Sequence, residues 1–302
     1  MQLPRDETLQ ALLHDLYLDD SSVDPEVLSS QLLQILRGSA NDGDCIAVDE
    51  RWSGADAVLI TYADTVTEQE KPGLQSLRLL VNRHLNPFAS VIHVLPFLQS
   101  TSDGGFAVAS HDQLESRHGD WGDLSSLAGG RRLMADLVLN HISASHPWVQ
   151  QFLCDDEPGR SCVLEASPSI CWDAVVRPRS SSLFTQLCGP AGVRQVWTTF
   201  GPDQVDVDWR SPEVLLGFTR LLARMVRHGV RWVRLDAVGF IWKTPGTGCI
   251  HLPQAHRIVE VMRHLMDAAC SHGVVVTETN VPEQENLSYL ISGREAHLAY
   301  NF

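Results

Sequence analysis

The feature that most constrains the fold is a repeated alternation of short apolar, mostly β-branched runs with longer segments of helical periodicity. Six such runs occur, at residues 57–62, 91–97, 133–139, 230–235, 274–277 and 298–302. Short runs of this kind are typical of parallel strands that are covered on both faces. Because helical segments separate them, the sequence predicts a parallel α/β fold.

The chain of 302 residues is about twice as long as an ordinary domain and can hold two domains or one large barrel. Leucines spaced at helical intervals predict two amphipathic helices within residues 5–40, the second starting after Asp24 and Pro25. After the third strand, a stretch rich in Pro, Ser, Gly and Cys is too long for a βα loop of about 2–6 residues. We predict three regions: an N-terminal helical appendage at 1–50, the main α/β domain at 51–302, and an insertion within it at about 143–195.

Composition and charge exclude several classes of protein. The chain is 44% hydrophobic and 20% charged, which supports a buried core rather than disorder. Its 23 basic and 37 acidic side chains give a net charge of −14, which disfavours nucleic acids and anionic membranes as partners. The sequence shows no apolar run of about 20 residues, no signal-like start and no metal or disulfide spacing among its seven cysteines. We predict a cytoplasmic protein that acts on small molecules and has no metal site.

Charged residues stand at the carboxyl ends of the predicted strands, where parallel α/β barrels place reactive groups. The fourth strand ends in Arg234 and Asp236, which are two residues apart and therefore point to the same face. The fifth strand ends in Glu278 and Asn280, which have the same relation. One carboxylate on each of two neighbouring strands suits a double displacement at an acetal carbon, in which one acid attacks and the other protonates the leaving oxygen.

Several segments resemble, in order, the signature regions of the α-amylase family of glycoside hydrolases. They are DLVLNH at 136–141, QVDVD at 204–208, RLDAVG at 234–239 and TETN at 277–280. Two others, LPFLQSTSDGGF at 95–106 and GDWGDL at 119–124, resemble the sucrose phosphorylase group of that family. The resemblance covers about residues 50–302 and implies a (β/α)8 barrel of the TIM type. Since about six strands are present, we expect an incomplete barrel and a chain truncated at its C-terminal end.

The resemblance implies roles for individual side chains. Asp236 matches the nucleophile that forms a β-glucosyl ester, and Glu278 matches the general acid/base. Arg234 matches the residue that hydrogen-bonds the nucleophile and holds it ionised. Three further positions match groups that surround the glucose at the −1 subsite: Asp103, His141 and Phe106.

A phosphorylase must also admit phosphate, which on an acidic chain requires local cations. Arg177 and Arg179, in an RPR element that resembles a feature of the group, are candidates, together with Lys243 after the fourth strand. The same three residues are equally typical of a solvated charged face. Phe184 and Asn280 are further candidate substrate contacts. The resemblance implies no cofactor, with inorganic phosphate as co-substrate.

The identity of the acceptor is less constrained. Sucrose phosphorylases tend to have a histidine two residues after the acid/base, where this chain has Asn280 within TETNVPEQEN. That segment, the helical appendage and WSGADAVLITYAD at 52–64 look more like the glucosylglycerate phosphorylase branch. We favour glucosylglycerate; a sucrose or glucosylglycerol phosphorylase, an α-glucoside hydrolase and an inactive fragment remain open. Because the family's strand-seven aspartate is absent, we expect little activity from residues 1–302 alone.

Overall fold

A parallel sheet forms the centre of the computed structural model, which describes residues 5–38, 51–86, 88–167, 170–279 and 282–301. In chain order, the strands are β1 (Val58–Thr61), β2 (Val91–Val94), β3 (Arg132–Val138), β4 (His141–Ser143), β5 (Phe184–Gly189), β6 (Gly192–Trp197), β7 (Gln204–Asp206), β8 (Val230–Asp236), β9 (Val274–Thr277) and β10 (Leu298–Ala299). The main sheet has the order β1-β2-β3-β8-β9-β10, with every neighbouring pair parallel. These six strands overlap the six predicted apolar runs, so the predicted strands are confirmed.

Helices precede the first strand and connect the strands that follow. In chain order, the α-helices of the described residues are α1 (Arg5–Leu16), α2 (Pro25–Leu36), α3 (Gly73–Leu80), α4 (Trp121–Ala128), α5 (Pro147–Leu153), α6 (Gly159–Cys162), α7 (Pro212–Arg227), α8 (Pro253–Ala269) and α9 (Glu283–Ile291). Each of α3, α4, α7, α8 and α9 lies between two strands that are neighbours in the sheet. This repeated strand–helix order is that of a partial TIM-type barrel, as predicted.

The two N-terminal helices pack on the outside of the barrel. The side chain of Asp24 accepts hydrogen bonds from the backbone of Glu26 and Val27 and so caps α2. Leu9, Leu13 and Leu32 are fully buried in the same apolar core as the inner faces of α7 and α8. The predicted amphipathic helices are therefore present, and their apolar stripes are covered by the barrel helices.

The segment between β3 and α7 contains short elements of its own. β4 pairs antiparallel with β7, β5 and β6 form an antiparallel hairpin, and α5 and α6 lie between them. The predicted domain limits at residue 50 and at about 143–195 stay predictions, and residues 39–50 lie outside the described part of the chain.

β1 and β10 are the edge strands of the main sheet among the described residues. Val58 and Ile60, on one face of β1, are 40% and 50% exposed, whereas all four residues of β2 are buried. The apolar interior of the sheet is thus covered in the middle and open along β1. In the described ranges, no helix has the length and apolar character that crossing a membrane requires.

Candidate active site

A cleft of about 390 Å³ opens at the carboxyl ends of the main-sheet strands. The predicted site residues that line it are Asp103, Phe106, His141, Arg179, Arg234, Asp236 and Glu278. They come from the ends of β3, β8 and β9, the loop after β2 and the insertion. The fold therefore brings together residues that lie up to 175 positions apart in the sequence.

The two predicted catalytic acids lie side by side because their strands are in register. Leu235 of β8 is opposite Thr277 of β9, and the backbone N–H of Glu278 donates to the carbonyl of Leu235 at 3.0 Å. Asp236 and Glu278, the next residues along, both reach the cleft. Ala237 follows with φ of +53°, and its backbone N–H donates to Glu278 Oε2 at 3.2 Å. One strand pair thus fixes both carboxylates.

A single guanidinium serves three carboxylates at the bottom of the cleft. Arg234 Nη1 lies 3.3 Å from Asp236 Oδ1, and Nη2 lies 3.9 Å from Glu278 Oε2. Nη1 also donates to Asp136 Oδ1. All four side chains are largely buried, so their charges interact with little screening by water.

The cluster contains more negative than positive groups, which affects the pKa of Asp236. Burial raises this pKa well above its usual range, and the charges of Asp136, Glu278 and Asp103 raise it further. Arg234 acts in the opposite direction, as predicted, but burial outweighs it. The predicted contact between Arg234 and Asp236 is present, and the role predicted for it, holding Asp236 ionised, stays a prediction.

Gln204 joins the two polar residues predicted for the glucose subsite. Its Nε2 donates to Asp103 Oδ2 at 2.8 Å and lies 3.0 Å from His141 Nε2. Pairing of β4 with β7 places Gln204 beside His141. Burial lowers the pKa of His141 to about 4, so its ring is neutral near pH 7. The three side chains form a hydrogen-bonding wall with fixed spacing.

The loop after β2 carries Asp103 and Phe106 in a conformation that glycine permits. Gly105 has φ of +105°, and a Cβ there would lie 2.6 Å from the carbonyl oxygen of Pro96. The hydroxyls of Thr101 and Ser102 both donate to Asp203 Oδ2 at 2.6 Å, which fastens the loop to the segment before β7.

Three predicted site residues do not line the cleft. The ammonium of Lys243 is buried, lies 2.6 Å from Asp206 Oδ2 and donates to Asn140 Oδ1 at 2.8 Å. Phe184 packs edge-on against Trp197 in a separate apolar cluster, with ring centroids 5.3 Å apart. The third, Arg177, donates to the backbone carbonyl of Ser181.

These placements differ from the sequence prediction for physical reasons. Lys243 is engaged because Asp206 is completely buried and needs a cation beside it. Phe184 is covered because it opens an amphipathic hairpin strand whose apolar side faces Trp197. Asn280 lies outside the described residues.

The sequence analysis missed other residues that line the cleft. Gln204 opens the QVDVD segment, so a signal for it was available. The rest come from aromatic or apolar positions that core packing would equally explain; they include Tyr62, Pro178, Phe200 and Phe240. No group of three or more His, Cys, Asp or Glu side chains in the described part of the chain is placed to hold a metal ion.

Replacing Lys243 with methionine is expected to lower the free energy of unfolding by about 3–5 kcal/mol, because the buried charge of Asp206 then lacks its partner. Urea unfolding measures this. The matched control is Lys71→Met, because Lys71 is an exposed lysine 2.6 Å from Glu68, and its loss should cost less than about 1 kcal/mol. Similar losses in the two variants would contradict the inferred role of the buried pair.

The sequence itself matches a known family. A profile of the α-amylase catalytic domain matches residues 88–302, more than half of the chain. The chain belongs to the α-amylase family. The family that the ordered signature segments predicted is thereby confirmed, and the cleft lies at the strand ends, where barrels of this type place their active sites.

Several curated relatives of the chain are named phosphorylases. The glucosylglycerate phosphorylase of Allomeiothermus silvanus is 46% identical over 252 residues, which make up 83% of this chain and 45% of the relative. That of Escherichia coli is 38% identical over 255 residues, or 84% of this chain and 46% of the relative. The sucrose phosphorylase of Agrobacterium vitis is 32% identical over 211 residues, or 66% and 42%. The chain thus spans about half the length of these relatives.

A solved structure shows the same fold. The sucrose 6F-phosphate phosphorylase of Thermoanaerobacter thermosaccharolyticum superposes with a TM-score of 0.73 at 22% identity, covering 83% of this chain and 52% of that chain. At this level of identity, the similarity concerns the fold alone. It supports the assignment of the six parallel strands to a (β/α)8 barrel.

Proposed function

We propose that this α-amylase-family chain carries the donor site of a retaining α-glucoside phosphorylase whose favoured substrate is glucosylglycerate. Asp236 attacks the anomeric carbon, the bond from that carbon to the glycosidic oxygen breaks, and Glu278 gives its proton to the leaving oxygen. Phosphate then attacks the β-glucosyl ester, gives a proton to Glu278, and releases α-glucose 1-phosphate and the Asp236 carboxylate. Two inversions leave the configuration unchanged.

The placement of the two acids supports the double displacement. Both are buried side by side at the end of one strand pair, and one guanidinium contacts both. The wall formed by Asp103, Gln204 and His141 offers hydrogen-bonding groups to sugar hydroxyls beside them. Phe106 adds an aromatic face of the kind that packs against sugar rings.

The observation that favours phosphorolysis over hydrolysis is Arg179 at the cleft. In the described part of the chain, its guanidinium forms no ion pair, although the chain has many more acids than bases. An unpaired guanidinium matches the geometry of phosphate oxygens and can bind two of them at once. The same positive charge would attract the carboxylate of a glycerate group, which agrees with the names of the relatives that are 46% and 38% identical.

The test uses the complete product of the natural reading frame. Glucosylglycerate, sucrose and glucosylglycerol are each offered with and without inorganic phosphate, and α-glucose 1-phosphate and free glucose are measured. We expect phosphate-dependent release of α-glucose 1-phosphate, fastest from glucosylglycerate. Release of glucose at the same rate without phosphate would identify a hydrolase, and no turnover of any of the three would overturn the proposal.

Replacing Arg179 with glutamine is expected to raise the KM for phosphate by about 10- to 100-fold, the effect of losing a hydrogen bond between charged groups. Slow hydrolysis of sucrose, which has no carboxylate for Arg179 to attract, should change little in the absence of phosphate, because water needs no cation. Arg210→Gln is the control, since Arg210 pairs with Asp208 and does not line the cleft. An equal loss in both reactions would show that Arg179 does not act on phosphate.

A further inference from the structure

A buried histidine lies inside the barrel beneath the cleft. His93, in the middle of β2, has no exposed surface. Its Nε2 lies 3.0 Å from Asp136 Oδ2 on β3, and its Nδ1 lies 3.1 Å from the hydroxyl of Tyr300, just after β10. This side chain therefore joins β2 to β3 and to the segment after β10 across the barrel interior.

The proton positions follow from the donor and acceptor types. An ionised carboxylate only accepts, so Nε2 of His93 carries a hydrogen and donates to Asp136. In the neutral ring, Nδ1 then accepts from the Tyr300 hydroxyl. Burial raises the pKa of Tyr300, which keeps that hydroxyl protonated. His93 is thus held as the Nε2–H tautomer by partners on both sides.

The two oxygens of Asp136 have different partners. Oδ2 accepts from His93, while Oδ1 accepts from Arg234 Nη1. A guanidinium facing a free carboxylate tends to bind both oxygens with two parallel hydrogen bonds. Because His93 occupies Oδ2, the contact from Arg234 to Asp136 involves one nitrogen alone. The same Nη1 also lies 3.3 Å from Asp236 Oδ1, and Nη2, which has no contact with Asp136, lies 3.9 Å from Glu278 Oε2.

One hydrogen-bond donor of Arg234 is unused among the described residues. Among the described residues, its buried Nε has no hydrogen-bond partner. The rings of Tyr300 and Phe106 lie near the guanidinium, with centroids 5.2 and 5.7 Å away, and limit its sideways movement. They do not prevent it from rotating in its own plane toward Asp136. What opposes that rotation is the hydrogen bond already made to Oδ2.

We propose that His93 is a positioning residue which, by occupying Asp136 Oδ2, keeps Arg234 directed at the two catalytic carboxylates. This inference rests on the proposed function, because it concerns the reactivity of Asp236 as a nucleophile. When His93 is lost, Arg234 binds both oxygens of Asp136 and withdraws from Asp236. The carboxylate of Asp236 then loses its nearest positive charge.

The variants separate this role from simple filling of space. His93→Gln keeps an N–H at nearly the position of Nε2 and can still donate to Asp136. His93→Leu has a similar volume but no donor. Tyr300→Phe removes the hydroxyl that bonds Nδ1 of His93 and should have an intermediate effect. Urea unfolding of each variant reports whether the fold persists, so a loss of stability is measured separately from a change in reactivity.

The readout is the ionisation of Asp236. The charges that face it are Arg234 on its own strand, Asp136 on β3, Glu278 after β9 and Asp103 after β2. In His93→Leu, we expect the acidic limb of the kcat/KM profile for the glucoside to move up by about one pH unit or more, a loss of about 10-fold or more below it. His93→Gln should stay close to the parent. The proposal is overturned if the His93→Leu profile also matches the parent. It is equally overturned if both variants lose the same activity at every pH and the acidic limb does not move.

A second measurement does not depend on turnover. Carbon-13 NMR of labelled aspartate carboxyls, with Asp236 assigned from Asp236→Asn, gives the pKa of Asp236 directly. We expect it to rise in His93→Leu and to be retained in His93→Gln. If the parent releases no α-glucose 1-phosphate, the proposed function fails while this titration still decides the role of His93. If the parent is active but Asp236 has the same pKa in His93→Leu as in the parent, the proposed role of His93 is wrong while the proposed function stands.

Discussion

Replacing Asp236 with asparagine is expected to abolish glucosyl transfer, with kcat reduced by about 10⁴-fold or more, as is usual when a catalytic nucleophile is lost. The amide cannot displace the leaving group to form a stable glucosyl ester. The fold should persist because asparagine has the same shape. Stability should also become less dependent on pH: a carboxyl whose pKa is raised by folding is stabilising below its unfolded pKa, and that contribution is lost as pH rises through the folded pKa.

The measurement for Asp236 is covalent trapping. A glucosyl fluoride with a second fluorine on the ring slows both chemical steps, while its good leaving group still allows the ester to form. Mass spectrometry of the intact protein and its peptides should show one glucosyl group, on the peptide that contains Asp236, and none in the variant. Asp208→Asn is the matched control, since Asp208 pairs with Arg210 outside the cleft. A label on any other carboxylate would show that the nucleophile is assigned wrongly.

Glu278→Gln is expected to lower kcat much more for substrates with a poor leaving group than for substrates with a good one. Glucosides with a poor leaving group, such as glucosylglycerate, need a proton on the departing oxygen and should lose about 10²–10⁴-fold in kcat. A glucosyl fluoride needs little such help, so its first step should be nearly unaffected. Steady-state and single-turnover rates on the two substrates, measured with the same preparation, give the ratio of the two effects.

The control for Glu278 is another buried glutamate. Glu295 accepts a hydrogen bond from His256 at 2.7 Å and is as deeply buried as Glu278, but it does not line the cleft. Glu295→Gln should leave the ratio of the two substrate rates unchanged. Equal losses on both substrates in Glu278→Gln would mean that Glu278 is not the proton donor.

Features that depend on local pattern could be predicted from the sequence. The six apolar runs became the six parallel strands, and residues at strand ends met at the cleft because parallel strands share one carboxyl edge. Asp236 and Glu278 are the clearest case. Each stands at the carboxyl end of one of two neighbouring parallel strands, and this position suffices to place both side chains at the cleft.

Features that depend on partners from distant segments could not be predicted in this way. The sequence around His93 is compatible with an exposed histidine and with a buried one, and its burial depends on Asp136 of β3 and on Tyr300 after β10. The role expected for Lys243 depended on its charge being free, which the buried Asp206 prevents. Side-chain pairing across a fold is set by three-dimensional distance, on which sequence spacing carries little information.

The register of β8 against β9 has a consequence for how such a chain can diverge. The position of Asp236 relative to Glu278 is set by backbone hydrogen bonds between two strands, not by the loops that follow them. The segments after β3 and after β8 can therefore lengthen, shorten or change composition while the two acids keep their separation. The proposed donor chemistry would therefore be inherited with the sheet, whereas the segment that carries Arg179 could be reshaped for a new acceptor.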